Sequence, residues 1–345
     1  MVSPPTPPDA RTLVGAAASG ATATDSPSPA PRPPSRRERK FRVRRDETVA
    51  DGLRRAARGR LADSSDALAG AGGTVELGEA VHDTRKAIKR VRATLRLSRG
   101  ALGEETYAGE NALLRTIARR LSEARDAQVL IDTLDALEER FAGELDPAGI
   151  AGLRARLADE HQRAIAQLDE DGDLAVVTRQ ALEEARARTA RWDFDSHDFA
   201  AVAPGLRRVY ARGRRRIIAS CEEPTAERLH DARKRVKDLW HAAELLRAAH
   251  PKRMKRLARD AHSLSSLLGD HHDLSVLRAY LEANPQLFSD MRARTALLDV
   301  LDRRRDTLQR RALKRGRRLY EQAPKPFAQD VERGWRKRVG DRAEV

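Results

Sequence analysis

Cys221 is the only cysteine among 345 residues, so no intramolecular disulfide can form and a metal site would have to draw on other residue types. Aromatic side chains are almost as scarce. Three Trp, four Tyr and six Phe leave few platforms for stacking bases, which binders of single-stranded nucleic acid normally use. The chain has no run of 18 apolar residues, and its first residues lack the basic stretch and apolar core of a secretion signal. Neither a membrane span nor export is expected, and cytoplasmic residence is the default. Also missing are a Gly-rich phosphate loop with its following Lys-Ser/Thr, HExxH, GxSxG and CxxC. With them go the commonest signatures of phosphoryl transfer, zinc hydrolysis, serine hydrolysis and thiol chemistry. No cofactor, no metal and no catalytic residue is expected.

What the chain does have is helix-forming material and positive charge. Hydrophobic residues make up 40% and charged residues 34%, enough for a core beneath a heavily charged surface. The apolar part is mainly Ala, Leu and Val, interleaved with Arg and Glu, which are good helix formers. The net charge of +15 points to an anionic polymer or surface, namely nucleic acid, inorganic polyphosphate or acidic lipid. Nine of the sixteen prolines fall in the first forty residues. Residues 1–42 therefore read as a disordered Pro/Ser/Thr-rich leader, unable to bury enough surface to offset its ordering entropy.

Residues 43–338 carry helical patterning throughout, which predicts an all-α fold. Expected helices include Leu77–Leu97, Ala226–Ala248, Lys252–Leu268 and Leu274–Glu282, with Arg191–Asp198 as an aperiodic linker and Gln286–Tyr320 as one long helix or two. Two series of segments match. Val81-His82-Asp83-Thr84-Arg85-Lys86-Ala87-Ile88-Lys89 recurs 148 residues later as Leu229-His230-Asp231-Ala232-Arg233-Lys234-Arg235-Val236-Lys237. Arg125-Asp126-Ala127-Gln128-Val129-Leu130 is answered 147 residues later by His272-Asp273-Leu274-Ser275-Val276-Leu277. Upstream, Leu53-Arg54-Arg55 and Arg58-Gly59-Arg60 resemble Leu206-Arg207-Arg208 and Arg212-Gly213-Arg214. Three correspondences in one order indicate an internal duplication. Two pseudo-symmetric helical bundles are expected, about 43–190 and about 198–338.

At about 100° per residue, His82, Arg85, Lys86, Lys89 and Arg96 share one face of their helix, opposite Val81, Ile88, Val91 and Leu95. His230, Arg233, Lys234 and Lys237 do the same in the second copy. Surface helices normally alternate acids and bases, yet Arg85 to Arg99 holds seven basic residues and no acid. A polyanion relieves that repulsion. Arg grips a phosphate in a fork, Lys acts as a mobile point charge, and the histidine is expected to donate more strongly below its unperturbed pKa of about 6.5. Arg207 and Arg214 extend the basic surface. Asp126 and Asp273 read as carboxylates that orient basic side chains. The run Asp270-His271-His272-Asp273 suggests a metal at first sight. Its spacing is not that of a zinc motif, and the first copy has Glu123-Ala124-Arg125-Asp126 instead, so no metal ligands are assigned.

The pattern His82-x-x-Arg85-Lys86-x-x-Lys89-Arg90-x-Arg92, repeated as His230-x-x-Arg233-Lys234-x-x-Lys237, resembles the CHAD family, the conserved-histidine α-helical domains. Leu121…Arg125-Asp126…Val129-Leu130 and Leu268-Gly269-Asp270…Asp273…Val276-Leu277 resemble its second motif in each half, and the resemblance covers roughly residues 43–338. It implies two helical bundles around a basic groove or pore that binds inorganic polyphosphate, and association with polyphosphate granules. The family's basic positions fall on His82, Arg85, Lys86, Lys89, His230, Arg233, Lys234 and Lys237. Some relatives carry a fused triphosphate-tunnel domain that supplies hydrolysis; none fits in this chain, so a binder is expected rather than an enzyme. The second copy departs from the pattern, with Asp238, Leu239 and Trp240 where an Arg-Tyr pair is usual and His272 answering Arg125. A nucleic-acid-backbone binder is the competing reading, and a metal-dependent phosphohydrolase using Asp270, His271 and Asp273 the third.

Overall fold

The computed structural model describes residues 39–340 apart from 122, 171, 172 and 289; the side chains of 74, 75, 123–126, 165, 167–170, 173 and 340 lie outside that description. Among the described residues there are eleven α-helices and no strand. They are α1 (Val49–Ala69), α2 (Thr74–Leu102), α3 (Glu104–Arg120), α4 (Glu123–Arg140), α5 (Pro147–Glu170), α6 (Asp173–Thr189), α7 (Ala203–Glu222), α8 (Ala226–Leu245), α9 (Pro251–Ala283), α10 (Met291–Leu319) and α11 (Pro324–Gly340).

Local chemistry sets several of the ends. The Thr48 and Thr225 hydroxyls accept backbone N–H bonds from Asp51 at 3.1 Å and Arg228 at 3.2 Å, capping α1 and α8. The Asp290 carboxylate accepts from the Arg292 amide at 2.8 Å to start α10, and Pro251 opens α9 where its missing N–H costs nothing. Between α2 and α3, Gly103 takes φ of +80°, a conformation most side chains resist.

α1 packs on α2 and α6, and α7 packs on α8 and α11; α4 lies against α5, and α9 against α10. One continuous hydrophobic cluster runs through both series of helices. The predicted linker is part of it: Trp192 and Phe194 are buried, Asp195 N–H donates to the Ala101 carbonyl at 2.9 Å, and Phe199 stacks on Trp335 at 5.9 Å. At the crossing of α2 and α7 the backbones come so close that a Cβ on Gly205 would lie 2.9 Å from Leu97 Cα.

Two expectations are corrected. Residues 39–42 are not leader: Arg39 pairs with Asp63 at 2.9 Å and Asp66 at 2.7 Å, and Phe41 meets His241 edge-on at 6.4 Å. Val43 N–H then donates to the Leu245 carbonyl at 2.7 Å, anchoring the entry to α1. Residues 1–38 of the expected leader lie outside the described residues. The second correction concerns Lys252–Leu268 and Leu274–Glu282, which form the single helix α9. A mid-helix glycine such as Gly269 costs only about 1 kcal/mol relative to alanine, far less than is gained by burying Leu264, Leu268, Leu274, Leu277 and Leu281 along the helix.

Candidate functional site

α2, α8 and α9 converge on a cavity of about 640 Å³. α2 contributes His82, Arg85, Lys86, Lys89 and Arg90, and α8 contributes Arg233, Lys237, Trp240 and His241. α9 supplies the third wall, with His262, Ser265, Ser266, Gly269, Asp270, His272, Asp273 and Val276, and Val129 of α4 closes one edge. The two basic segments, 148 residues apart in the chain, thus face one space.

Amphipathicity explains the orientation. Val81, Ile88, Val91 and Leu95 of α2 and Leu229, Val236 and Leu239 of α8 are buried, which turns the opposite basic stripes of both helices toward the cavity. The cations are held rather than left loose. An Arg85 N–H donates to the Ala118 carbonyl at the end of α3 at 2.7 Å, and Arg233 pairs with Asp273 at 3.6 Å. The Arg233 guanidinium also lies over Gly269, where a Cβ would meet its terminal nitrogen at 3.1 Å. Lys86 reaches back to Asp83 and Lys234 to Asp231, each at 3.1 Å, so the two copies share a local pairing.

Not every basic residue of α2 reaches the cavity. Arg92 donates to Asn111 Oδ1 at 3.0 Å, and Arg99 pairs with Glu104 at 2.6 Å. Arg96, assigned from the helical wheel to the anion-binding face, instead pairs with Asp238 of α8 at 2.7 Å, with their side chains 18% and 10% exposed. Arg235 pairs with the same carboxylate at 2.9 Å. Asp238 therefore ties α2 to α8, because a nearly buried carboxylate needs charged partners. Arg214 is likewise structural: its Nε–H donates to the Tyr320 carbonyl at 3.1 Å, closing α7 onto the end of α10. Arg207 is exposed on α7 and outside the cavity, as is Lys234. The Asp126 side chain lies outside the described residues, whereas Asp273 sits beside Arg233 as an orienting carboxylate would.

His230 does not line the cavity but lies against the tilted ring of His272, which does, with ring centroids 3.9 Å apart. Burial, followed by the cations around them, pushes both pKa values down to about 4. The expected gain in donor strength below about pH 6.5 therefore does not hold for His230. His271 faces the other way, buried near Arg305 and Asp306, and burial holds it at about 4 as well. His271 therefore points away from Asp270, His272 and Asp273, which line the cavity, and no group of three or more His, Cys, Asp or Glu that could hold a metal is found among the described residues. Burial raises the Asp270 pKa.

These three histidines make stability pH-dependent. In the unfolded chain they protonate near pH 6.5; in the folded chain they stay neutral down to about 4. The unfolded state thus binds more protons, so their contribution is present above pH 6.5 and lost as pH falls toward 4. The melting temperature should drop between pH 7 and pH 5, and drop less in His230→Asn/His272→Asn. Identical pH profiles for parent and variant would count against the assignment.

His262, Ser265 and Ser266 of the cavity escaped sequence reasoning, while Arg90, Trp240, His241 and Val276 were read in the sequence without being assigned to the site. Those on α9 recur at three- and four-residue spacing, a stripe visible only when α9 is read as unbroken. Trp240, one of the departures in the second copy, stacks on His262 at 4.3 Å and on His241 at 4.7 Å.

Residues 60–282 match the CHAD domain. The chain belongs to the CHAD-domain family. All the cavity-lining residues lie within the matched stretch, while α10 and α11 follow it. An uncharacterized protein of Mycobacterium tuberculosis is 28% identical over 212 residues, covering 59% of this chain and 40% of that protein. This CHAD protein thus spans well under half the length of that relative. No helix among the described residues is long and apolar enough to cross a membrane.

Proposed function

We propose that the protein binds inorganic polyphosphate in the cavity between α2, α8 and α9, without hydrolysing it. The observation that carries this reading is the convergence of Arg85, Lys86, Lys89 and Arg90 with Arg233 and Lys237 on one cavity, against the two carboxylates Asp270 and Asp273. The association of the CHAD family with polyphosphate supports it. A cavity of small-molecule dimensions admits a thin linear anion and not a duplex. Its one Trp is already stacked on histidines, which leaves no ready platform for a base.

The bound chain displaces its counterions as it enters, and arginine forks and lysine charges hold successive phosphates. The two basic helices are read as products of one duplication. Each basic helix is preceded by a helix that packs on it, α1 on α2 and α7 on α8. Association with polyphosphate granules, where such chains are concentrated, follows from the same binding.

Direct competition between long-chain polyphosphate and duplex DNA at physiological salt tests the reading, with phosphate release followed in Mg²⁺ or Mn²⁺. Polyphosphate should displace DNA, its affinity should fall steeply with salt, and no phosphate should be released. DNA outcompeting polyphosphate would move the assignment to nucleic acid; steady phosphate release would make the protein a phosphohydrolase.

A further inference from the structure

We propose that a second arginine cluster, Arg256 and Arg259 of α9 with Arg315 and Arg318 of α10, extends the cavity into a track holding the outgoing part of a polyphosphate chain. This rests on the polyphosphate reading of the first cavity and goes beyond it in naming where a chain too long for that cavity runs.

The four arginines line a separate cavity of about 670 Å³, accompanied by Asp260, Leu319 and Glu321. α9 and α10 form an antiparallel pair. Arg315 donates to Ser263, Arg305 to Ser275 at 3.2 Å and Arg278 to Asp302 at 3.1 Å. That register sets Arg256 and Arg259, near the start of α9, opposite Arg318 and Arg315, near the end of α10.

Arg256 and Arg318, both exposed, make no ion pair among the described residues. Arg259 leans only on its neighbour Asp260 at 3.0 Å and stays 73% exposed. Four guanidinium groups gathered with so little compensation repel one another, and a multivalent anion relieves that repulsion.

The two cavities are joined by charge. Asp270, on the wall of the first, lies within electrostatic range of Arg304 on α10, which is itself close to Arg311. Positions 304, 311, 315 and 318 follow one another at seven, four and three residues, so they fall within a sector of about 60° on α10. From Asp270 back to Arg259 is roughly 16 Å along α9 at 1.5 Å per residue. A linear polyanion leaving the first cavity beside Asp270 toward Arg259 therefore passes Arg311, which the register sets between them, before reaching the cluster. Half of the cluster is on α10, which follows the stretch matched to the family.

Two variants and two probes, all with the full chain, test the track. The probes are tripolyphosphate, short enough for the first cavity alone, and long-chain polyphosphate. The variants are Arg256→Gln/Arg318→Gln and Lys89→Gln/Lys237→Gln, with helicity and melting checked for each. The cluster variant should bind tripolyphosphate like the parent. It should bind long chains about 10- to 100-fold more weakly, since it loses the second contact that one chain supplies at high effective concentration. Its salt dependence for long chains should be shallower by about 1.4 in log–log slope, at roughly 0.7 per lost phosphate contact on a single strand. The Lys89/Lys237 variant should lose affinity for both probes. If the cluster variant holds long chains as tightly as the parent while the Lys89/Lys237 variant does not, the track is wrong and the first cavity stands. If the parent binds neither probe, both readings fall.

Discussion

Replacing Arg85, Lys89, Arg233 and Lys237 together with glutamine should weaken polyphosphate binding by at least ~10³-fold while leaving the helices folded. A charge-assisted hydrogen bond contributes about 1.5–3 kcal/mol, so losing four exceeds the ~4 kcal/mol that a thousandfold represents. The log–log salt slope should flatten by about 3, at roughly 0.7 per phosphate contact. These four side chains come from both basic helices and all line the cavity, so the variant tests convergence rather than the charge of one helix. Arg85 also holds the Ala118 carbonyl and Arg233 pairs with Asp273. Binding must therefore be compared at temperatures where circular dichroism shows the variant folded. A folded quadruple variant that binds long polyphosphate like the parent would exclude this cavity as the site. Glutamine at Arg96, Arg207 or Arg214 should leave affinity within about threefold, because none of them lines the cavity.

The largest effect on stability is expected at Gly205. α2 and α7 approach so closely that a Cβ there would fall within the contact shell of the Leu97 carbonyl and 2.9 Å from its Cα. The clash is with backbone, which cannot rotate away, so Gly205→Ala must push two core helices apart. Overpacking of a well-packed core ordinarily costs about 1–3 kcal/mol. With no side chain able to yield, a loss of about 3 kcal/mol or more is expected, a fall of roughly 10 °C in melting temperature for a domain of this size. Gly109→Ala is the control. Gly109 is exposed in α3 with nothing within 4 Å of its added Cβ, so alanine should be neutral or stabilise by up to about 1 kcal/mol. Equal melting temperatures for the two variants would show that the α2–α7 crossing is looser than described.

Much of the fold was readable because helix periodicity is a local property. Val81, Ile88, Val91 and Leu95 repeat at three- and four-residue spacing, and that spacing alone predicts which side of α2 is buried. α9 was misread for the same reason: Gly269 with its charged neighbours looks locally like a break, and the leucines that hold the helix together act through α8 and α10. Residues 39–42 show the same limit. Their composition continues that of the leader, yet Asp63 and Asp66 hold Arg39 and the His241 ring meets Phe41.

By itself, then, the sequence determined that two helices would each bury an apolar stripe and present a dense basic one. Tertiary structure decided which cations serve the cavity. A helical wheel specifies the direction of a side chain and not what lies opposite: Lys89 faces a cavity, while Arg96, on the same stripe, faces Asp238. Only the packing of α2 against α8 and α9 separates a cation that lines the cavity from one turned onto a carboxylate of α8.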